Sequence, residues 1–222
     1  MDCLVTNSLV ALAVGCVVAY PTAKIVRFWH NRLDPSIEWA SWEGWAATAL
    51  CPILFAIAGV RYGTLCVLSG LPLALALFGI WVGIVVAVID WRTRFIPAEM
   101  IYGATVVAVG TRTLIDGSLT GTLLGLVAGV VVWGIIYGLA FALYRSSEPF
   151  GLGDIVLGSF IGAIIGWPLA IYAFLIGIMS GGVFAGIFVL RGRNTRDYIA
   201  YGPFMIFGMV VALLLFARGL LG

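Results

Sequence analysis

Long apolar runs separated by short polar segments make up most of this chain of 222 residues. The runs are continuous and do not alternate with polar residues, so they predict helices and not strands. A helix satisfies its own backbone hydrogen bonds, as a segment inside a bilayer must. We therefore predict an all-α, polytopic membrane protein with about eight transmembrane helices. Their approximate ranges are 5–20, 45–60, 66–89, 98–113, 119–143, 154–166, 168–190 and 199–217.

Composition agrees with this fold class. The chain is 63% hydrophobic and 10% charged, with a mean hydropathy of +1.14, whereas soluble domains carry about 25% charged residues. The net charge of +2 gives no reason to expect a nucleic-acid partner. We expect a lipid bilayer to surround the chain.

The basic residues predict the orientation of the chain. The first apolar run is preceded by Asp2 and by no Lys or Arg, which is the wrong charge for a signal peptide. We therefore expect a retained first helix with its N-terminus outside, followed by a surface segment from Lys24 to Glu43. Cytoplasmic loops are enriched in Lys and Arg. In this orientation nine of the 12 basic residues are cytoplasmic: Lys24, Arg27, Arg32, Arg92, Arg94, Arg145, Arg191, Arg193 and Arg196.

Two carboxylates lie where apolar runs end or begin. Asp90 ends the third run and Asp154 starts the sixth, and the predicted orientation puts both at cytoplasmic depth. An ionisable residue costs roughly 2.5–3.5 kcal/mol at a membrane helix centre on insertion scales, and such residues are often functional. Two acids at one depth suggest an acid–base pair that shares one proton. The alternative is that both are solvated helix caps, with Asp90 in an interfacial ion pair with Arg92 or Arg94.

Glycines surround the second acid and recur in the helices that follow. Gly151 and Gly153 precede Asp154 and allow a tight turn. Glycines spaced by four residues let membrane helices pack closely, and we expect this packing to bring the third and sixth helices together. The spaced sets are Gly121, Gly125 and Gly129; Gly158, Gly162 and Gly166; Gly177 and Gly181; and Gly182 and Gly186.

Other site chemistries have little support in the sequence. None of the four cysteines forms a CxxC pair, so we predict no metal site and no cofactor. The one histidine, His30, stands in a basic, Trp-rich segment. We expect it to be a solvated or interfacial side chain and not a catalytic base.

Four stretches carry short motifs: residues 151–154 read GLGD, 87–97 read AVIDWRTRFIP, 201–204 read YGPF and 166–167 read GW. In these stretches the chain resembles the type IV prepilin peptidase family, a group of GxGD-type membrane aspartyl proteases. GLGD matches the GxGD motif, and AVIDWRTRFIP is similar to the segment that carries the family's first aspartate. Residues 201–204 (YGPF) resemble the stretch that opens its last helix. Residues 166–167 (GW) fall where the family often has a glycine-tryptophan turn. The similarity extends from about the second helix to the end of the chain.

This resemblance implies a function. Family members remove the leader of prepilin-like or pseudopilin precursors at the cytoplasmic face of the bacterial inner membrane. By this resemblance Asp90 and Asp154 would be catalytic, and Gly151 and Gly153 would shape the loop around Asp154. We also expect Pro97 and Glu99, which lie close in sequence to Asp90, to shape the site or bind substrate. The peptidase domain would span residues 45–222. Residues 1–44 would form the first helix and the surface segment.

The chain also departs from the family pattern. Many members have an aspartate after Ile-Pro, where this chain has Ala98 and then Glu99, and a lysine where it has Val156. Bifunctional members that also N-methylate their product carry paired CxxC motifs in the first cytoplasmic segment. The segment from Lys24 to Glu43 has no cysteine, so we do not expect methyltransferase activity.

Two other functions fit parts of the sequence. A proton-coupled transporter could use Asp90 and Asp154 as a relay, but it would also be expected to carry acids or broken helices at mid-bilayer. A catalytically inactive assembly factor could share the fold. Neither the substrate nor the oligomeric state follows from the sequence.

Overall fold

The computed structural model describes residues 2–33, 41–63, 70–144, 151–191 and 200–215. All regular secondary structure in these ranges is helical, which confirms the predicted all-α fold with eight helices. The helices are α1 (Asp2–Leu33), α2 (Ser41–Gly63), α3 (Leu71–Thr93), α4 (Ala98–Asp116), α5 (Thr120–Tyr144), α6 (Leu152–Ile165), α7 (Ala170–Leu190) and α8 (Gly202–Leu215).

Several of these helices have the length and composition of membrane spans. In the described part of the chain there are five: Val5–Leu33, Gly44–Tyr62, Leu71–Thr93, Thr120–Ala142 and Ala170–Leu190. Helices α6 and α8 are apolar but have only 14 residues each. At 1.5 Å per residue each is about 21 Å long, shorter than the roughly 30 Å hydrocarbon core. The chain is a multi-pass membrane protein in which α6 is shorter than the hydrocarbon core.

The first helix is longer than the sequence predicted. We expected it to end near residue 20 and a surface segment to begin at Lys24, but α1 continues to Leu33. No glycine or proline stands between Ala23 and Leu33, so nothing in that stretch ends the helix. Residues 34–40 of the predicted surface segment lie outside the described residues, as do the loops at 145–150 and 192–199.

Helix α1 pairs with α2 through close contacts at two glycines. A side chain at Gly15 would collide with the backbone of Pro52, and one at Gly59 would collide with Ala11.

His30 is 1% exposed, so the prediction that it is solvated or interfacial is wrong. The reason is the continued helix, which puts His30 one turn after buried Val26 on the same face.

Helix α3 lies at the centre of the bundle and contacts α1, α2, α4, α6 and α8. Its buried residues include Ile80, Val85 and Ile89, each at 0% exposure. Gly79 faces Ile164 of α6, and Gly83 faces Ile206 of α8. The end of α3 is therefore fixed by helices on several sides.

The glycine sets pack helices closely, but not all the expected pairs. Gly129 of α5 lies against the backbone of Gly158 in α6, and Gly125 lies against that of Gly162. The expectation that the glycines of α6 bring it to α3 is therefore wrong. They lie on the face turned to α5, and the opposite face meets α3 through Ile164.

The remaining glycines divide between packed and open positions. Gly177 and Gly181 of α7 lie against the start of α8, in agreement with the predicted close packing. Gly182 and Gly186 have open space where a side chain would be. These two positions do not mediate contacts between the described helices.

Candidate active site

Asp90 lies in the last turn of α3 and is 4% exposed. The sequence placed it at the end of the helix, but α3 continues to Thr93, and the Asp90 carbonyl accepts a hydrogen bond from Arg94 N–H. The N–H of Gly202, the first residue of α8, donates to Asp90 Oδ2 at 2.9 Å. The start of a helix favours a negative charge, so α8 is well oriented to hold this carboxylate.

Asp154 lies in the first turn of α6 and is 7% exposed. The N–H of Gly151, which caps the helix, donates to Asp154 Oδ2 at 3.0 Å. This is one half of a capping box, in which a carboxylate three residues into the helix accepts the N-cap N–H. A Cβ at Gly153 would lie 2.8 Å from Ile96 Cβ, so glycine at 153 lets the segment before α4 approach.

The structure brings together the two acids that the sequence singled out. They come from α3 and α6. Gly202 bonds to Asp90, and the adjacent Tyr201 packs on Trp133 of α5. Trp133 in turn lies against Gly158, one turn after Asp154 in α6, so these contacts place the two acids in the same part of the bundle. Each acid accepts a backbone N–H through Oδ2. These two hydrogen bonds orient the carboxyl groups.

Tyr201 directly precedes α8. Burial, together with the negative charge of Asp154, raises the pKa of Tyr201 to about 12. The phenol therefore stays protonated at neutral pH and can act as a hydrogen-bond donor. Its ring packs edge-on against Trp133 of α5, with centroids 5.4 Å apart.

Pro97 and Glu99, which were predicted to shape the loop or bind substrate, lie at the start of α4. Pro97 is buried, and its carbonyl accepts the N–H of Met100 and of Ile101, so it begins the helix beside the Ile96–Gly153 contact. Glu99 instead is on the surface, 3.6 Å from Arg32 of α1, with side chains 72% and 57% exposed.

The arrangement of these groups suits proton transfer. Two neighbouring carboxyl groups in a site that excludes most water do not both ionise readily, so one can donate a proton while the other accepts one. No three His, Cys, Asp or Glu side chains in the described ranges form a group that could hold a metal ion.

The sequence did not identify Gly202 or Tyr201 as site residues. It singled out the stretch 201–204 only by resemblance and gave it no role. The contact of Gly202 with Asp90 joins residues that are 112 positions apart, so no local pattern could reveal it. The glycine-proline pair at a helix start was the only local signal.

Comparison with known proteins gives one match. The model of the type IV leader peptidase family matches residues 77–186, a range that includes Asp90, Asp154 and the GxGD motif. Helices α1, α2 and α8 lie outside the matched range. No match to a curated protein or to a solved structure was found. Through residues 77–186 the chain belongs to the type IV leader peptidase family.

Proposed function

We propose that this membrane peptidase is an aspartyl endopeptidase with Asp90 and Asp154 as its catalytic pair. Its substrates are type IV prepilin-like or pseudopilin precursors, from which it removes the leader peptide. One observation carries the proposal: two carboxyl groups from separate helices are both buried at the same end of the bundle, although burying like charges together is costly. The family match supports the same reading.

The proposed reaction uses the two acids in opposite protonation states. The ionised carboxylate removes a proton from a water molecule, and the resulting hydroxide attacks the carbonyl carbon of the leader peptide bond. The protonated carboxyl group donates its proton to the carbonyl oxygen. When the tetrahedral intermediate breaks down, the carboxyl group that took the proton from water donates it to the leaving amine. The other carboxylate takes a proton back from a hydroxyl group of the intermediate, so both acids return to their starting states. The hydrogen bonds from Gly202 and Gly151 hold the acids in place for these steps.

We propose the cytoplasmic face of the bacterial inner membrane as the site of cleavage. Both acids lie at the same end of the bundle, since the last turn of α3 and the first turn of α6 meet there. This is the end to which the distribution of basic residues assigns the cytoplasmic side. A precursor would keep its apolar helix in the bilayer and present the leader to the acids.

Cleavage by the purified wild-type protein in lipid nanodiscs tests this function. Precursors of pilins and pseudopilins are incubated with it, and intact mass spectrometry reads the products. We expect loss of the leader from at least one class and no added methyl group on the new N-terminus. A transporter or an inactive assembly factor would leave every precursor intact. A methylated product would contradict the inference from the missing cysteines.

A further inference from the structure

The turn formed by Tyr201 and Gly202 touches the surroundings of both acids. Gly202 bonds directly to Asp90. Tyr201 is near enough to Asp154 for the carboxylate charge to act on it. This turn lies outside the part of the chain that the family model matches.

We propose that Tyr201 and Gly202 are positioning residues that set the geometry of the acid pair. The proposal rests on the proposed peptidase function. In it, the start of α8 fixes the positions of α3 and α6 relative to each other at the site. Neither residue is proposed to react with substrate. They act through Asp90 and Asp154.

Gly202 positions Asp90 through its N–H and through its lack of a side chain. The hydrogen bond is 2.9 Å long and buried. A Cβ at position 202 would lie 2.7 Å from Asp90 Oδ2 and 3.1 Å from Cγ, inside van der Waals contact. Any other residue at 202 would therefore push the carboxyl group away from its donor or move the start of α8.

Tyr201 holds the same turn against α7. Its hydroxyl donates to the carbonyl of Ile178 in α7 over 3.3 Å, and its ring occupies the space that a side chain at Gly181 would need. These contacts leave the turn little freedom to move relative to α7. A tyrosine ring fills this space, whereas an alanine would leave a cavity.

Trp133 links Tyr201 to the helix of the second acid. Its ring is packed on Tyr201 and also fills the place where a side chain at Gly158 would be. Gly158 follows Asp154 by one helical turn, so the two lie on the same face of α6. Displacing Tyr201 would therefore disturb the wall beside Asp154 as well as the turn that holds Asp90.

Steady-state cleavage by Gly202→Ala tests the positioning of Asp90. Loss of a hydrogen bond to a charged group corresponds to roughly a 10- to 100-fold change, and we expect kcat to fall by that factor with KM within twofold. Gly182→Ala is the matched control, because the same change there meets open space. A Gly202→Ala enzyme with wild-type kcat would overturn the proposal.

Two variants of Tyr201 distinguish the contribution of its ring from that of its hydroxyl group. We expect Tyr201→Ala to lower kcat per folded molecule, and Tyr201→Phe to recover most of that loss because it keeps the ring between Gly181 and Trp133. A purely structural role would instead lower the amount of folded protein and leave kcat per folded molecule unchanged. That outcome would overturn the role of Tyr201.

Hydrogen exchange at the Gly202 amide gives a readout that needs no cleavage. The full chain in nanodiscs is compared with Asp90→Ala, and Glu99→Ala serves as the control. We expect Asp90→Ala alone to speed exchange at Gly202, because the amide loses its acceptor. Unchanged exchange would overturn the contact whether or not the wild type cleaves. If Asp90→Ala speeds exchange and the wild type cleaves no precursor, the contact is supported and the proposed function is contradicted.

Discussion

Buried charged groups are arranged differently at the two ends of the bundle. At one end Asp90 and Asp154 bring like charges together, each with one backbone N–H as its donor. At the other end Arg112 is 7% exposed but is neutralised by Asp116, with Nε and Oδ2 2.8 Å apart. Arg61 there donates to a carbonyl in the last turn of α8. The second end follows the ordinary rule for buried ions, and the first does not.

This difference favours the proposal that the end of the bundle containing Asp90 and Asp154, the acid end, is the functional one. A buried ion pair is a common structural device, and its removal is expected to affect stability. Two buried carboxyl groups side by side bring no such gain and are expected where chemistry requires them. Substitutions at the end that contains Arg61 and Arg112, the arginine end, should therefore change the free energy of unfolding. Substitutions of the acids should change the rate of cleavage.

The largest change in stability is expected at the arginine end. Arg112→Leu leaves Asp116 without its partner, and we expect a loss of about 2–4 kcal/mol, below the upper range for fully buried pairs because Asp116 is partly hydrated. Chemical unfolding in detergent micelles measures it. The double variant Arg112→Leu/Asp116→Leu should recover much of the loss. If Arg112→Leu instead reduced cleavage per folded molecule and left stability unchanged, Arg112 would have a role in function and not in stability.

A smaller change of opposite sign is expected at the acid end. Asp90→Asn and Asp154→Asn each remove one of two like charges and keep an oxygen that can accept the backbone N–H. We expect each to stabilise the protein by about 1 kcal/mol, since neutral replacements of buried charges are often stabilising. The same unfolding assay decides this. A clear loss of stability in both would mean that the acids contribute to folding, as Arg112 does.

The smallest change is expected at Glu99, which is on the surface. Its ion pair with Arg32 is 3.6 Å long and well exposed, and such pairs contribute about 0–1 kcal/mol. Glu99→Gln should change stability by less than about 0.5 kcal/mol and lower the cleavage rate only in part, through weaker binding of a basic leader. Complete loss of cleavage would assign Glu99 a larger role.

The sequence predicted the fold class well because continuous apolar runs and charge bias are local signals. It also singled out Asp90 and Asp154, since acids at the ends of apolar runs are rare. It did not predict where α1 ends or that His30 is buried, because these depend on the pairing of α1 with α2. It likewise assigned the glycines of α6 to the wrong partner helix.

The part of the site that depends on tertiary contacts was not predictable. The bond from Gly202 to Asp90 depends on how α8 packs against α3, and the position of Tyr201 depends on α5 and α7. Glycine spacing indicates that a helix face can approach another closely, but it does not say which helix. The face of α6 that meets α3 is made of large apolar residues such as Ile164, which give no specific signal.

The most direct test of the central claim is the rate of leader cleavage by Asp90→Asn, Asp154→Asn and their double variant, at equal amounts of folded protein. General acid–base steps contribute about 10²–10⁴-fold, so we expect each single variant to lose at least about a hundredfold in kcat. The double variant should be no slower than the slower single one, because the acids act as one unit. Cleavage at the wild-type rate by either single variant would contradict the account and leave that aspartate as a helix-end residue without a catalytic role.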